Sequence, residues 1–289
     1  MSNNRLNVCD NIVGITRMSA AEKFKFSKKY KLVHISDVHV ISCYDDEDDK
    51  TKGEVSYRIP FFYHNQEESI DRWFSLVDAA NKEEPDAVIL TGDIIDFPSK
   101  RNIDVLTEGL KRLHAPHVYC LGNHDWSYSF DYHTESARTH NLPKFSKFTT
   151  GINSAFSICE LDEFTLFAIN NSSDKVESEA LIELNRLLSI QKPIILAMHI
   201  PICADDYEDN LLQSDTVKYW RKYICLGEKG IKPDKVTEEF ISAITNEPNN
   251  IAAILAGHIH FAHQDKITDK LTQFVCCRGT EGSYSVITI

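Results

Sequence analysis

Short apolar runs alternate along this chain with longer segments of helical periodicity. The runs are four to six residues long, which predicts buried strands, and they cover residues 31–35, 87–90, 117–121, 194–198 and 251–256. Apolar residues recur at helical spacing in segments 70–81, 103–113, 178–188 and 236–245. Strands that alternate with helices indicate a largely parallel central sheet.

The remaining segments are less regular. Residues 155–169, with a turn near Asp162, and residues 266–289 are predicted to form further antiparallel strands. Residues 1–30 form a polar N-terminal arm without a clear pattern. Long insertions at 40–69 and 202–235 both leave the ends of predicted strands, which is typical of lids or binding loops. No linker divides the chain, so a single domain over 1–289 is predicted.

The first insertion contains two features that could be chemical or merely structural. Its acidic run, residues 45–49, lacks the glycine and the spacing of a calcium loop, and a solvated loop is the preferred interpretation. Its aromatic residues could stack on a nucleobase or pack the insertion against the body, and packing is preferred. They are Tyr57, Phe61, Phe62 and Tyr63.

Polar side chains follow each of the five predicted parallel strands. They are Asp37 and His39, Asp93, Asn123, His199, and His258 with His260. Any one of them alone would be read as a turn residue or a chance histidine. Because ligands bind outside the carboxyl ends of parallel strands, the five clusters are expected to converge. Each pair at i and i+2 would share a face of an extended segment. Such carboxylate, amide and imidazole groups suit a two-metal hydrolytic site.

Composition and charge narrow the class of protein. The chain has 289 residues and a formal net charge of −12, which disfavours long nucleic acid as a partner. A bound cation can reverse the potential locally, so a small anionic substrate remains compatible with this charge. The eight cysteines are scattered without a CxxC pair, and we expect reduced thiols in a cytoplasmic protein. No apolar run is long enough to predict a membrane span.

Five motifs together resemble the calcineurin-like metallophosphoesterase family. They are Asp37-x-His39, Gly92-Asp93-x-x-Asp96, Gly122-Asn123-His124-Asp125, Met198-His199 and Gly257-His258-x-His260, and the resemblance extends from about residue 32 to 260. It implies an α/β fold, a four-layer αββα sandwich of two mixed sheets flanked by helices. It also implies two divalent metal ions, for which manganese, iron or zinc would suit these donors.

The resemblance further implies roles for individual residues. One metal would be held by Asp37, His39, Asp93 and His260, and the other by Asp93, Asn123, His199 and His258. A hydroxide bridging the metals would attack phosphorus in line. His124 would contact the phosphate, as would Asn123, or protonate the leaving oxygen, and Asp96 would orient His124 with Asp125 as the alternative. His263 is a further candidate for substrate contact.

The motifs also differ from those of protein phosphatases. There the segments resemble GDxxDRG and GNHE, whereas Asp96 is followed here by Phe97-Pro98 and the later motif ends in Asp125. The leading hypothesis is therefore a binuclear phosphoesterase that hydrolyses a small phosphodiester, such as a cyclic nucleotide or a related nucleotide. A phosphomonoesterase is the alternative, and a non-catalytic scaffold is the third reading. The oligomeric state is not predicted.

Overall fold

The computed structural model describes residues 14–19, 23–203, 224–228 and 230–289, with the backbone alone for 14–19. The strands, numbered in chain order within these residues, are β1 (Gly14–Ser19), β2 (Lys31–Ile35), β3 (Ala87–Leu90), β4 (His117–Tyr119), β5 (Phe156–Glu160), β6 (Thr165–Ile169), β7 (Ile194–Ala197), β8 (Ile251–Ala256), β9 (His263–Thr268), β10 (Leu271–Val275) and β11 (Ser283–Thr288). The α-helices are α1 (Asp49–Arg58), α2 (Gln66–Lys82), α3 (Lys100–Arg112), α4 (Glu135–Asn141), α5 (Ser178–Ile190) and α6 (Lys235–Thr245).

The described strands form two mixed sheets. The first has the order β1-β11-β2-β3-β4, in which β2, β3 and β4 are parallel and β11 runs antiparallel to β2. The second has the order β5-β6-β7-β8-β10-β9, in which β6, β7, β8 and β10 are parallel and the outer strands β5 and β9 are antiparallel. Five of the parallel strands are those predicted from the apolar runs.

Alternation of side chains along the strands builds the layers. In β2, Leu32 packs into a core with Leu166 and Ile195 of the second sheet, whereas Val33 packs on the opposite face against Trp73 of α2. The outer face of the second sheet is covered likewise by α5 and α6, whose Leu184 and Phe240 are buried against it. The predicted four-layer sandwich of two mixed sheets flanked by helices is confirmed.

Three predictions about secondary structure need correction. The arm 1–30 contains β1, an edge strand paired with β11 in parallel. In residues 266–289 the predicted antiparallel pairing is found for β9 with β10 and for β11 with β2, but β10 also pairs in parallel with β8 and β11 crosses to the first sheet. The acidic run 45–49 is not simply a loop, since the side chain of Asp48 accepts a hydrogen bond from the N–H of Thr51 and thereby caps α1.

The expectation of reduced thiols is wrong for two cysteines. Cys203 and Cys225 form a disulfide, with their Cα atoms 5.2 Å apart. The disulfide connects the start of the second insertion to a later part of it. Ile202 forms an isolated β-bridge with Leu226, which brings the neighbouring cysteines together. Five other described cysteines form no disulfide. The rest of this insertion, residues 204–223 and 229, lies outside the described residues, as does Cys9.

None of the helices within the described ranges combines the length and the apolar character that crossing a membrane requires.

Candidate metal centre

All seven predicted ligands lie directly beyond the carboxyl ends of five strands, and the structure brings them together. Asp37 and His39 follow β2, and Asp93 follows β3. Asn123 follows β4 in the first sheet, whereas His199 follows β7 in the second. His258 and His260 follow β8, so the site lies at one edge of the sandwich and is built by both sheets.

The first group contains Asp37, His39 and His260. The Nε2 atom of His260 lies 3.4 Å from Oδ1 of Asp37 and 3.2 Å from Nε2 of His39. Potential ligand atoms from these three residues all lie within 4.8 Å of one another. This is a separation that one cation could bridge.

The second group contains Asp93, Asn123, His199 and His258. The Nε2 atom of His199 is the centre of this group. It lies 2.9 Å from Oδ1 of Asn123, 3.2 Å from Nδ1 of His258 and 3.3 Å from Oδ2 of Asp93. The same Asp93 oxygen lies 3.8 Å from Nε2 of His39 in the first group. Asp93 therefore stands between the two groups.

The donor set fits divalent cations. In both groups two imidazole nitrogens face each other across 3.2 Å, an arrangement that a shared cation stabilises. Asp37 and Asp93 are almost completely buried, and buried carboxylates are normally paired or bound to metal. Burial by itself would raise the pKa of Asp37, but the hydrogen bond and charge of His260 lower it to about 2. Burial would likewise lower the pKa of His199, but the neighbouring Asp93 raises it to about 9. The buried carboxylates thus favour the binding of positive charge at this site.

The backbone at the ligands differs from the extended segments assumed from the sequence. Five of the seven residues have a left-handed backbone, with φ of 54° at Asp37, 48° at His39, 50° at Asp93, 74° at His258 and 64° at His260. Such angles are uncommon for residues other than glycine and cluster at functional sites. The prediction that Asp37 and His39, and likewise His258 and His260, lie together was therefore right, but the extended segment assumed for it was wrong. These five side chains converge because β2, β3 and β8 end in tight, strained turns.

Gly122 allows the turns that carry Asn123 and Asp93 to approach each other. A Cβ atom on Gly122 would lie 2.1 Å from Oδ1 of Asp93 and 2.3 Å from its backbone nitrogen. Any side chain at this position would push Asp93 out of its place between the two groups. Glycine is consequently part of the site although it offers no ligand.

Hydrogen bonds behind the candidate ligands fix the direction of two imidazoles. The Nδ1 atom of His39 lies 2.8 Å from Oδ1 of Asp96, and Nδ1 of His199 lies 2.7 Å from the carbonyl oxygen of Thr91. Because both acceptors require a proton on Nδ1, Nε2 is the nitrogen that faces the site in each ring, where a bound cation would take the place of its proton. Asp96 thus supports His39, a role that the sequence did not suggest.

The predicted catalytic residues His124, Asp96 and Asp125 differ in the contacts that they make. His124 follows Asn123, and its Nδ1 lies 3.4 Å from Oδ1 of Asp96. Burial lowers the pKa of His124 to about 4. Asp125 accepts hydrogen bonds from the backbone N–H groups of Gly122, Asp93 and Ile95. Of the two candidates for orienting His124, the geometry therefore favours Asp96, whereas Asp125 connects the turns that carry Asp93 and Asn123.

His263 lies at the start of β9, where its Nε2 is 2.6 Å from Oδ1 of Asp265. Its contact with a substrate stays a prediction.

Arg58 is a site residue that sequence reasoning missed. It ends α1 in the first insertion, and its Nε and a terminal nitrogen donate to the two oxygens of Asp96 at 2.7 and 2.9 Å. Its guanidinium also lies over the ring of Phe62, which stacks on His39 with centroids 4.6 Å apart. The insertion therefore contacts the metal centre. No motif indicated it, because the contact joins residues 38 positions apart.

We expect Arg58→Met to reduce kcat/KM by about 10- to 100-fold, the usual cost of losing support behind a metal ligand. The bidentate contact orients Asp96, which in turn holds His39 and His124, so Arg58→Lys should recover only part of the loss. Steady-state kinetics and metal content would be measured together. Arg101→Met is the matched control, since Arg101 pairs with the exposed Glu67. Equal activity in the Arg58 and Arg101 variants would exclude this role.

The chain belongs to the calcineurin-like phosphoesterase family, whose sequence model matches residues 30–262 and hence more than half of the chain. All seven candidate ligands and His124 lie within the matched region.

Particular proteins of known description are similar to this chain. DNA double-strand break repair protein Mre11 of Sulfurisphaera tokodaii is 27% identical over 179 residues, which are 59% of this chain and 41% of that protein. The chain thus matches less than half the length of this relative. A dimetal phosphatase from Danio rerio superposes with a TM-score of 0.52 at 14% identity, over 87% of this chain and 88% of the other. Purple acid phosphatase PPD1 from yellow lupin (Lupinus luteus) seeds superposes with a TM-score of 0.55 at 13% identity, over 89% of this chain and 45% of the other. These two likenesses show the shared fold.

Proposed function

We propose that this chain is a binuclear metal-dependent phosphoesterase that hydrolyses a small phosphodiester. The observation that carries the proposal is the position of Asp93, whose Oδ2 atom lies within 3.8 Å of His39 and 3.3 Å of His199 and so links two separate groups of potential ligands. A carboxylate shared by both groups could bind two ions at the separation of about 3.5 to 4 Å that is found in two-metal hydrolytic sites.

The chain's own residues divide into three tasks. Asp37, His39, Asp93 and His260 would hold one ion, and Asp93, Asn123, His199 and His258 the other. Bound divalent ions of this kind activate water and neutralise phosphoryl oxygens. His124 would contact the phosphoryl group and supply a proton to the leaving oxygen, since an anion beside the ring raises the low pKa that burial imposes. Asp96 would orient His124.

The charges around the site support a diester over a monoester. The guanidinium of Arg58 is engaged by both oxygens of Asp96, so its charge is largely offset before a substrate arrives. Asp37 and Asp93 are two further buried carboxylates, whose charge the two bound cations would offset. A diester brings one negative charge and a monoester up to two, and because Arg58 is already paired with Asp96, the singly charged group suits the site better.

The DNA-related description of the Sulfurisphaera tokodaii relative raises a polynucleotide as a competing substrate. The net charge of −12 counts against it, because a binding surface for long DNA is normally basic. We therefore propose a small phosphorylated substrate. Cytoplasmic location likewise remains a prediction: the five described cysteines that form no disulfide support it and the disulfide does not.

The substrate class is tested by turnover with manganese added. We expect hydrolysis of bis(p-nitrophenyl) phosphate to exceed that of p-nitrophenyl phosphate, with linear duplex DNA left intact. Metal-free protein should be inactive on both esters and regain activity with manganese. A strong preference for the monoester would replace the diester assignment, and no turnover of either ester would favour a non-catalytic scaffold.

A further inference from the structure

A column of three stacked aromatic rings ends beside the metal centre. Trp126 is fully buried and follows the Gly122-Asn123-His124-Asp125 motif directly. The ring of His133 stacks on it with centroids 5.2 Å apart and 13° between the planes. Tyr132 stacks on His133 at 4.0 Å and 12°. The rings are therefore nearly parallel along the whole column.

The column is held rigidly at its base. The indole N–H of Trp126 donates to Oγ of Ser172 at 2.9 Å, and that hydroxyl donates in turn to Asn170. His133 has a left-handed backbone with φ of 56°, and its Nδ1 lies 3.8 Å from a carboxylate oxygen of Asp174. Strained residues of this kind cluster at active sites and ligand clamps. Little conformational freedom would be lost when a ligand extends the column.

The outer end of the column is exposed and adjoins the reacting groups. Tyr132 is 47% exposed although it packs on His133. Its hydroxyl accepts a hydrogen bond of 2.9 Å from Nδ2 of Asn123, and its ring lies 6.0 Å from that of His124. A flat group stacked on Tyr132 would thus stand one short linker away from a phosphoryl group at the metal centre. In a nucleotide the base and the phosphate are joined by a single sugar, which is a linker of this kind.

We propose that Tyr132 is the stacking platform for the nucleobase of the substrate, so that the diester is one of a nucleoside. This inference rests on the proposed phosphoesterase function and adds its substrate class. Base–aromatic stacking tolerates any base, because every base offers a π-face. The site should therefore select for a nucleoside over an alkyl group while discriminating weakly among bases.

The test compares two diesters that share one leaving group. Thymidine 5′-(p-nitrophenyl phosphate) carries a base on the retained side, and methyl p-nitrophenyl phosphate carries none. We expect the wild-type chain to prefer the thymidine ester in kcat/KM by about 5- to 150-fold, the contribution of one stacked base. Tyr132→Ala should abolish this preference, whereas Tyr132→Phe should retain it whatever happens to the absolute rates.

Phe130→Ala is the matched control. Phe130 is 54% exposed in the same loop, but it stacks on Tyr128 and lies near Lys50. This variant should keep both the rates and the preference. Hydrolysis of both esters without a preference, or with one that survives Tyr132→Ala, would overturn the platform and leave the phosphoesterase intact. Failure to hydrolyse either ester would instead overturn the proposed function on which the platform rests.

Discussion

Asp93→Asn should reduce kcat/KM by more than about 100-fold and release at least one of two bound metal ions. Loss of support behind a metal ligand already costs about 10- to 100-fold, and Asp93 is itself the candidate ligand shared by both groups. Its Oδ2 faces His39 and His199, while its Oδ1 accepts the backbone N–H of His124 at 2.8 Å. The amide has the same shape but no charge, so the change removes the attraction for cations and preserves the packing.

Two measurements on the purified variant decide this prediction. Metal content per chain should fall from two ions to one or none, and turnover of bis(p-nitrophenyl) phosphate should fall with it. Asp104→Asn is the matched control, because Asp104 is exposed on α3 and its carboxylate accepts from the hydroxyl of Tyr44. An Asp93 variant that keeps both ions and full turnover would show that this carboxylate does not join the two groups.

The strands that carry the site could be predicted because a strand buried on both faces appears in the sequence as a continuous apolar run. In β2, β3 and β8 both faces of the strand are covered, so the apolar run begins and ends where the strand does. The polar residue that follows each run then marks the sheet edge. This logic placed Asp93 and His199 near each other although 106 positions separate them.

The supporting residues could not be predicted, since no repeating pattern joins the residues that are in contact. Arg58 reaches Asp96 from an insertion 38 positions away, and Tyr132 reaches Asn123 across nine positions of a loop whose composition suggests nothing. The strained turns were equally hidden, because a left-handed backbone at Asp37 depends on hydrogen bonds to other segments. Its N–H donates to the carbonyl of Gly92, and its own carbonyl accepts from the N–H of Thr280. Sequence distance concealed the contacts of Arg58 and Asp37, whereas the irregular loop concealed the contact of Tyr132.

Asp125→Ala should lower the free energy of unfolding by about 3 kcal/mol or more, because each buried N–H left without an acceptor costs about 1 to 3 kcal/mol. Asp125 is fully buried, and its Oδ2 accepts from the N–H groups of Gly122 at 2.6 Å and Asp93 at 2.9 Å. Its Oδ1 accepts from the N–H of Ile95 at 3.0 Å. Alanine would leave all three buried donors without an acceptor.

Denaturant unfolding at a fixed manganese concentration would measure this loss, with Asp48→Ala as the matched control. Asp48 also accepts a backbone N–H, but at the exposed start of α1, where water can replace the carboxylate. The free energy of unfolding of Asp125→Asn should fall between those of the two variants, because its remaining carbonyl oxygen can still accept while its amide opposes one donor.

If Asp125→Ala lost no more free energy of unfolding than the Asp48 variant, the turns bearing Asp93 and Asn123 would have to be held together by other contacts. The carboxylate after the His124 imidazole would then be open again to the catalytic role considered from the sequence, and pairing each variant's stability with its metal content would separate the two roles.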